Sequence, residues 1–103
     1  MRSIVQRYPG REPSEIFEQA RNSLRQRRRE ISSSEVIDEI LDAVKWDPAH
    51  HRGGGKKRVF MLKSSVELRV EGDQLTLELK VPVKKHEDKY ADRIQAIFDT
   101  LFD

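Results

Sequence analysis

The fold is decided by Val66-Glu67-Leu68-Arg69-Val70-Glu71-Gly72-Asp73-Gln74-Leu75-Thr76-Leu77-Glu78-Leu79-Lys80-Val81. Val66, Leu68 and Val70 alternate with charged residues, and Leu75, Leu77, Leu79 and Val81 alternate with Thr76, Glu78 and Lys80. Strict alternation marks strands with one buried face. Gly72-Asp73 between them suits a two-residue hairpin turn with glycine first. Pairing Val70 with Leu75 places every aliphatic side chain on one face, whereas a slip of one residue would divide them between two. The result is an antiparallel hairpin with a single apolar face that needs cover.

The flanking segments supply that cover. Tyr90, Ile94, Ile97, Phe98 and Leu101 recur at helical spacing, which predicts a C-terminal helix starting near His86 and lying across the hairpin. Upstream, Ile16, Phe17, Ala20, Leu24 and later Ile31 form another helical stripe, with Ser14 as its cap. Ser32, Ser33 and Ser34 interrupt it, and Ser32 with Glu35 has capping-box spacing. A second helix is expected from about Ser34 to Trp46, with Val36, Ile37, Ile40, Leu41 and Val44 inward. Asp47-Pro48 ends it, because a residue before proline avoids the helical region.

Val59-Phe60-Met61-Leu62 reads as a short apolar strand. Ser64-Ser65 is then either a second tight turn, giving three strands, or a bulge in one long strand. In the three-strand version Val59 and Met61 join the core face, and Phe60 and Leu62 need cover of their own. The fold class expected is α+β: two N-terminal helices, a small antiparallel sheet of two or three strands, and a C-terminal helix packed on the sheet. Residues 1–13, with Pro9, Gly10 and Pro13, read as an N-terminal arm with a short strand at Ser3–Tyr8. Residues 14–103 read as a single domain, with a basic Gly-rich loop at 49–58.

Charged residues make up 37% of the chain and hydrophobic ones 36%, which is enough for one small core. The net charge of +2 conceals segregation. Residues 1–30 carry +4, 31–48 carry −4, and 49–65 carry +5 from five cations and no anion. The first basic block includes Arg21, Arg25, Arg28 and Arg29, with Arg27 beside them, on one helix. Arginine donates to phosphate in a bidentate fork. The same stripe is also compatible with a solvated face paired to Glu18, Glu30 or the acidic second helix. The second block, Arg52, Lys56, Lys57, Arg58 and Lys63, surrounds Gly53-Gly54-Gly55. Glycine admits close backbone approach to a phosphate, and lysines neutralise it. His50, His51 and Trp46 are the candidates for stacking on bases.

Other chemistries find no support in the sequence. With no cysteine there is no disulfide, thiolate metal site or cysteine nucleophile. Adjacent histidines in a loop make poor metal ligands, so no metal or cofactor is expected. Lys56 is followed by Lys57, so the glycine segment is not a Walker loop. No nucleophile elbow is present, so no catalytic residue is assigned and a non-enzymatic role is expected. There is neither a signal-peptide core nor a run of ~18 apolar residues, which points to the cytoplasm and to no membrane partner.

The order of elements carries a resemblance. A strand-like start, two helices, an apolar strand ending in Leu62-Lys63 and a hairpin leading to His86–Tyr90 resemble small bacterial toxins of the RelE/ParE type, over about residues 3–90. The run from Ile31 through Val36 and Ile37 to the glycines is similar to related domains of that fold. The resemblance implies a ribonuclease-like activity, for which Lys84, Lys85 and His86, or His51, are the available groups. The expected sheet is a strand short of that family.

The leading expectation is a small protein that binds RNA or DNA through Arg21, Arg25, Arg28, Arg29 and Arg52, Lys56, Lys57, Arg58. The alternative is a protein-interaction module: a homodimer, or a regulator of a larger complex. The two diverge on geometry. If both basic blocks share a face, nucleic acid is favoured; if they lie on opposite faces, the interaction module takes first place.

Overall fold

The computed structural model describes residues 1–59 and 61–103. Five antiparallel strands, β1 (Arg2–Arg7), β2 (Lys45–Asp47), β3 (Arg52–Val59), β4 (Leu62–Glu71) and β5 (Gln74–Lys80), form one sheet in the order β1-β5-β4-β3-β2. Four helices, α1 (Pro13–Gln26), α2 (Arg28–Ile31), α3 (Glu35–Asp42) and α4 (Lys84–Asp99), accompany it. A 3-10 turn at Pro48–His50 joins β2 to β3.

The central hairpin has the register read from its alternation. Val70 faces Leu75, Leu68 faces Leu77 and Val66 faces Leu79, while Gly72 turns the chain at φ +60. Leu75, Leu77 and Leu79 are almost wholly buried beneath Phe17, Leu24, Ile94 and Phe98 of the helices. The helices cover one face of the sheet and leave the other open. Burying these aliphatic side chains is the main stabilising term, at about 1.5–3 kcal/mol each.

The expected two- or three-stranded sheet is overturned at both ends. The N-terminal arm is strand β1, paired with β5 from Arg2↔Leu79 to Arg7↔Gln74. Ile4 faces Leu77 and is buried, whereas Val5 is 53% exposed. The strand is anchored by Arg2, which bonds Asp88 and Asp92, and by the Tyr8 hydroxyl just beyond it, which donates to the Phe98 carbonyl at 2.6 Å. At the other edge, the Gly-rich segment expected as a loop at 49–58 is mostly strand β3.

Two of its glycines are needed for space. A Cβ on Gly53 would lie 2.5 Å from Trp46 Cε3, and one on Gly55 would lie 2.5 Å from the Ala43 carbonyl oxygen. The chain leaving α3 crosses β3 so closely that side chains at 53 and 55 have no room.

The helices also differ from expectation. The first stripe breaks at Arg27, which leaves the helical region at φ −104, ψ 19, and divides into α1 and α2. Helix α1 starts at Pro13 after Glu12, so Ser14 is not its cap. Ser34 caps α3, its Oγ accepting from Val36 N at 3.2 Å, and the Ser32 Oγ accepts from Ser34 N instead of forming a box with Glu35. Helix α3 stops at Asp42, since Lys45–Asp47 is drawn into pairing with Arg52–Gly54. Helix α4 begins at Lys84.

Ser64 and Ser65 lie inside β4, being neither turn nor bulge, and face Lys57 and Lys56 in register. Met61, expected in the core, is 83% exposed at φ +69. The expectations for Phe60 and for the Val59 side chain lie outside the described residues.

Candidate functional site

The second basic block forms the outer half of a β-ribbon. Gly53 and Gly55 face the helix layer, where Trp46 and Ala43 lie against them, while a Cβ on Gly54 would meet Glu67. Side chains alternate along a strand. Arg52, Lys56 and Arg58 therefore share the open face of the sheet with Gly54, and Lys57 projects to the helix side.

Register adds Lys63 opposite Arg58 and Lys45 opposite Gly54. Among the described residues, none of Lys45, Arg52, Lys56, Lys57, Arg58 and Lys63 forms an ion pair. Arg69, nearer the middle of the sheet, is held by Glu71 at 3.2 Å and Glu78 at 3.1 Å. Glu67 and Glu78 line a shallow concavity of about 640 Å³ on that face, together with Lys45 and Lys56. The unbroken positive surface is thus the ribbon and its tip, not the centre of the sheet. At the tip, Met61 and the 51% exposed Leu62 add apolar surface.

The ribbon also has a free edge. β2 pairs with β3 only over Arg52–Gly54. Beyond Gly55 the outer side of β3 has no strand partner among the described residues.

The arginine stripe has a different character. Arg28 Nε lies 3.1 Å from Asp38 Oδ1, and Arg29 bonds the same carboxylate. Arg27 forks onto Glu30 at 2.7 and 2.8 Å and reaches Thr100. Its hydrogen bonds hold the Glu30 carboxyl below the usual carboxylate range. Arg21 lies over the Phe17 ring at 5.6 Å, with its Nε buried and without a partner among the described residues. Arg25 is exposed. The stripe sits on the helix layer, across the sheet from Arg52, Lys56 and Arg58. Lys57 lies on the stripe's side of the sheet, so the second block is divided between the two faces.

The three stacking candidates are engaged elsewhere. Trp46 packs edge-on against Phe17 at 5.9 Å, and the His51 ring stands 6.0 Å from the same Phe17. His51 adopts φ +52, and its carbonyl accepts from Val70 N. His50 Nδ1 contacts Asp47 Oδ2 at 2.7 Å, which holds the Asp47 carboxyl below its usual range. Trp46 and His51 thus face Phe17, whereas His50 is held by Asp47, the register partner of Arg52.

His86, the general acid or base that the toxin resemblance suggests, is exposed in the first turn of α4 against Tyr90. No group of three His, Cys, Asp or Glu residues among the described residues can hold a metal ion. No helix among them is long and apolar enough to cross a membrane.

Sequence reading missed Lys45, a lone lysine in a segment read as acidic helix. It also missed Ser64, whose burial follows only from the register of β4. Comparison with protein-family models, with curated proteins and with solved structures gave no match.

Proposed function

We propose that this protein is a non-enzymatic interaction module that docks an acidic, extended segment of a partner protein along the free edge of β3. One observation carries this reading. The outer edge of the sheet beyond Gly55 has no strand partner and is lined by Lys56, Lys57 and Arg58, none of them in an ion pair, among the described residues. An exposed edge accepts an added strand through main-chain hydrogen bonds. Lysines on such an edge oppose the pairing of like with like, so a second copy of this chain is a poor occupant and an acidic strand a good one. Met61 and Leu62 at the tip supply apolar contact.

The same ribbon supports a second reading, in which it contacts nucleic-acid phosphates. A two-stranded ribbon fits the major groove, and six cations would give a steep salt dependence. The toxin-like ribonuclease suggested by the resemblance belongs with this reading. Against it stands the pairing of Arg27, Arg28 and Arg29 with Glu30 and Asp38.

Fluorescence anisotropy separates the two. The ligands are a labelled peptide of alternating Glu and Val and single- and double-stranded oligonucleotides of equal charge, at two salt concentrations. The peptide is expected to bind, and Lys56→Glu with Arg58→Glu to abolish binding, while Arg25→Glu leaves it intact. Binding of the oligonucleotides alone would install the second reading. Binding of neither would refute both.

A further inference from the structure

A separate feature lies on the helix side, beneath the start of β4. Ser64 is 1% exposed, and its Oγ has no hydrogen-bond partner among the described residues. A buried hydroxyl without a partner is costly and calls for an explanation. Ser64 lines a cavity of about 460 Å³ between the N-terminal ends of α3 and α4. Val36, Leu62, Val81 and Val83 form its apolar wall, and His86 and Lys89 stand at its rim.

No Asp or Glu lines the cavity among the described residues. Of the acids beside lining residues in sequence, Glu87 turns its carboxylate onto Val81 N at 2.8 Å and the Met1 ammonium at 3.0 Å, Asp88 pairs with Arg2, and Glu35 is exposed. A buried hydroxyl, the ammonium group of Lys89 and an aliphatic wall together match an amphipathic anion.

We propose that this cavity binds a small amphipathic carboxylate. The aliphatic chain lies against Val36, Leu62 and Val81. The carboxylate accepts from the Ser64 hydroxyl and is neutralised by Lys89. The site shares Leu62 with the tip of the ribbon but rests on Ser64 and Lys89, and does not depend on what docks at the β3 edge.

The test is a titration of the full chain with sodium octanoate and, separately, with 1-octanol, followed by amide chemical shifts and by calorimetry. Octanoate is expected to shift the amides of Val36, Ser64 and Lys89 and to bind at least about tenfold more tightly than octanol, the scale of one charge-assisted hydrogen bond. Lys89→Met is expected to weaken octanoate about tenfold and leave octanol unchanged. Ser64→Ala is expected to weaken octanoate similarly while the free protein keeps or gains thermal stability, since the substitution removes an unpaired hydroxyl. The proposal is overturned if octanol binds as well as octanoate, or if neither shifts these amides. Shifts confined to the ribbon lysines, or both variants binding like wild type, would overturn it equally.

Discussion

Replacing each glycine of Gly53-Gly54-Gly55 by alanine, one at a time, distinguishes a strand under close packing from a flexible loop. In the structure the three positions are not equivalent. A Cβ at Gly55 would lie 2.5 Å from the Ala43 carbonyl oxygen, 2.7 Å from its carbon and 2.8 Å from Val44 N. All three are backbone atoms, so relief requires moving the α3–β2 connection. Overpacking of this kind costs about 1–3 kcal/mol. At ~4–8 °C per kcal/mol for a domain near this size, the Tm of Gly55→Ala should fall by roughly 4–24 °C.

At Gly54 the added methyl would come no closer than 3.6 Å, to Glu67 Cγ, an ordinary contact. Loss of unfolded-state freedom should then stabilise Gly54→Ala by about 0.4–1 kcal/mol. Gly53→Ala falls between, because the obstacle at 2.5 Å is the Trp46 ring, a side chain, although one wedged against Phe17. Urea denaturation followed by the fluorescence of Trp46, the single tryptophan, measures all three. Indistinguishable midpoints, or Gly54→Ala as the least stable, would refute the placement of this segment in the sheet.

Two further substitutions test the anchoring of the sheet. Glu87→Ala strands the Val81 amide and should cost about 1–3 kcal/mol near neutral pH. Burial pushes the Glu87 carboxyl upward, but the Val81 amide and the Met1 ammonium outweigh it and hold the pKa below its ordinary value. A lowered folded-state pKa stabilises above the unfolded pKa, and this contribution is lost as pH falls through the folded value. The gap between wild type and Glu87→Ala in denaturation midpoints should therefore narrow in acid; a gap that widens below pH 4 contradicts the assignment. Tyr8→Phe removes the 2.6 Å bond to the Phe98 carbonyl and should destabilise by about 1 kcal/mol, with faster amide exchange along β1. Unchanged exchange there would mean that Tyr8 does not hold the strand.

Particular residues show why part of this fold could be read from sequence and part could not. The β4–β5 hairpin was legible because each strand carries a full alternation that fixes its own register. The short strand read at Ser3–Tyr8 is present as β1, but its place beside β5 was not legible, because Ile4 is the one buried residue of that strand and its neighbour Val5 is exposed. The partner that sets its place runs from Gln74 to Leu79, at the other end of the domain. β2 has three residues, too few for any periodicity. The glycines misled because a glycine that makes room and a glycine that bends the chain are the same letter.

The candidate site divides in the same way. The run of cations in β3 was visible as composition, but its alternation between two faces required the strand. The arginine stripe was visible as spacing. Its partner Asp38 sits on another helix, brought close by packing that no local pattern records.

The order of the strands has a consequence for how the chain is made. Among the described residues, every sheet pairing but one joins strands that follow each other in sequence, and the exception is Arg2 with Leu79 through Arg7 with Gln74. During synthesis the first strand therefore leaves the ribosome long before its template exists. Helix α1, whose Ile16 and Phe17 end in the core, emerges with no sheet to cover it. The nascent N-terminal half holds its apolar stripe in water until the β4–β5 hairpin arrives, and only then can β1 close the edge. Such non-local closure slows folding and lengthens the exposure of apolar surface. Chains truncated before β5 should accordingly be the ones that chaperones retain.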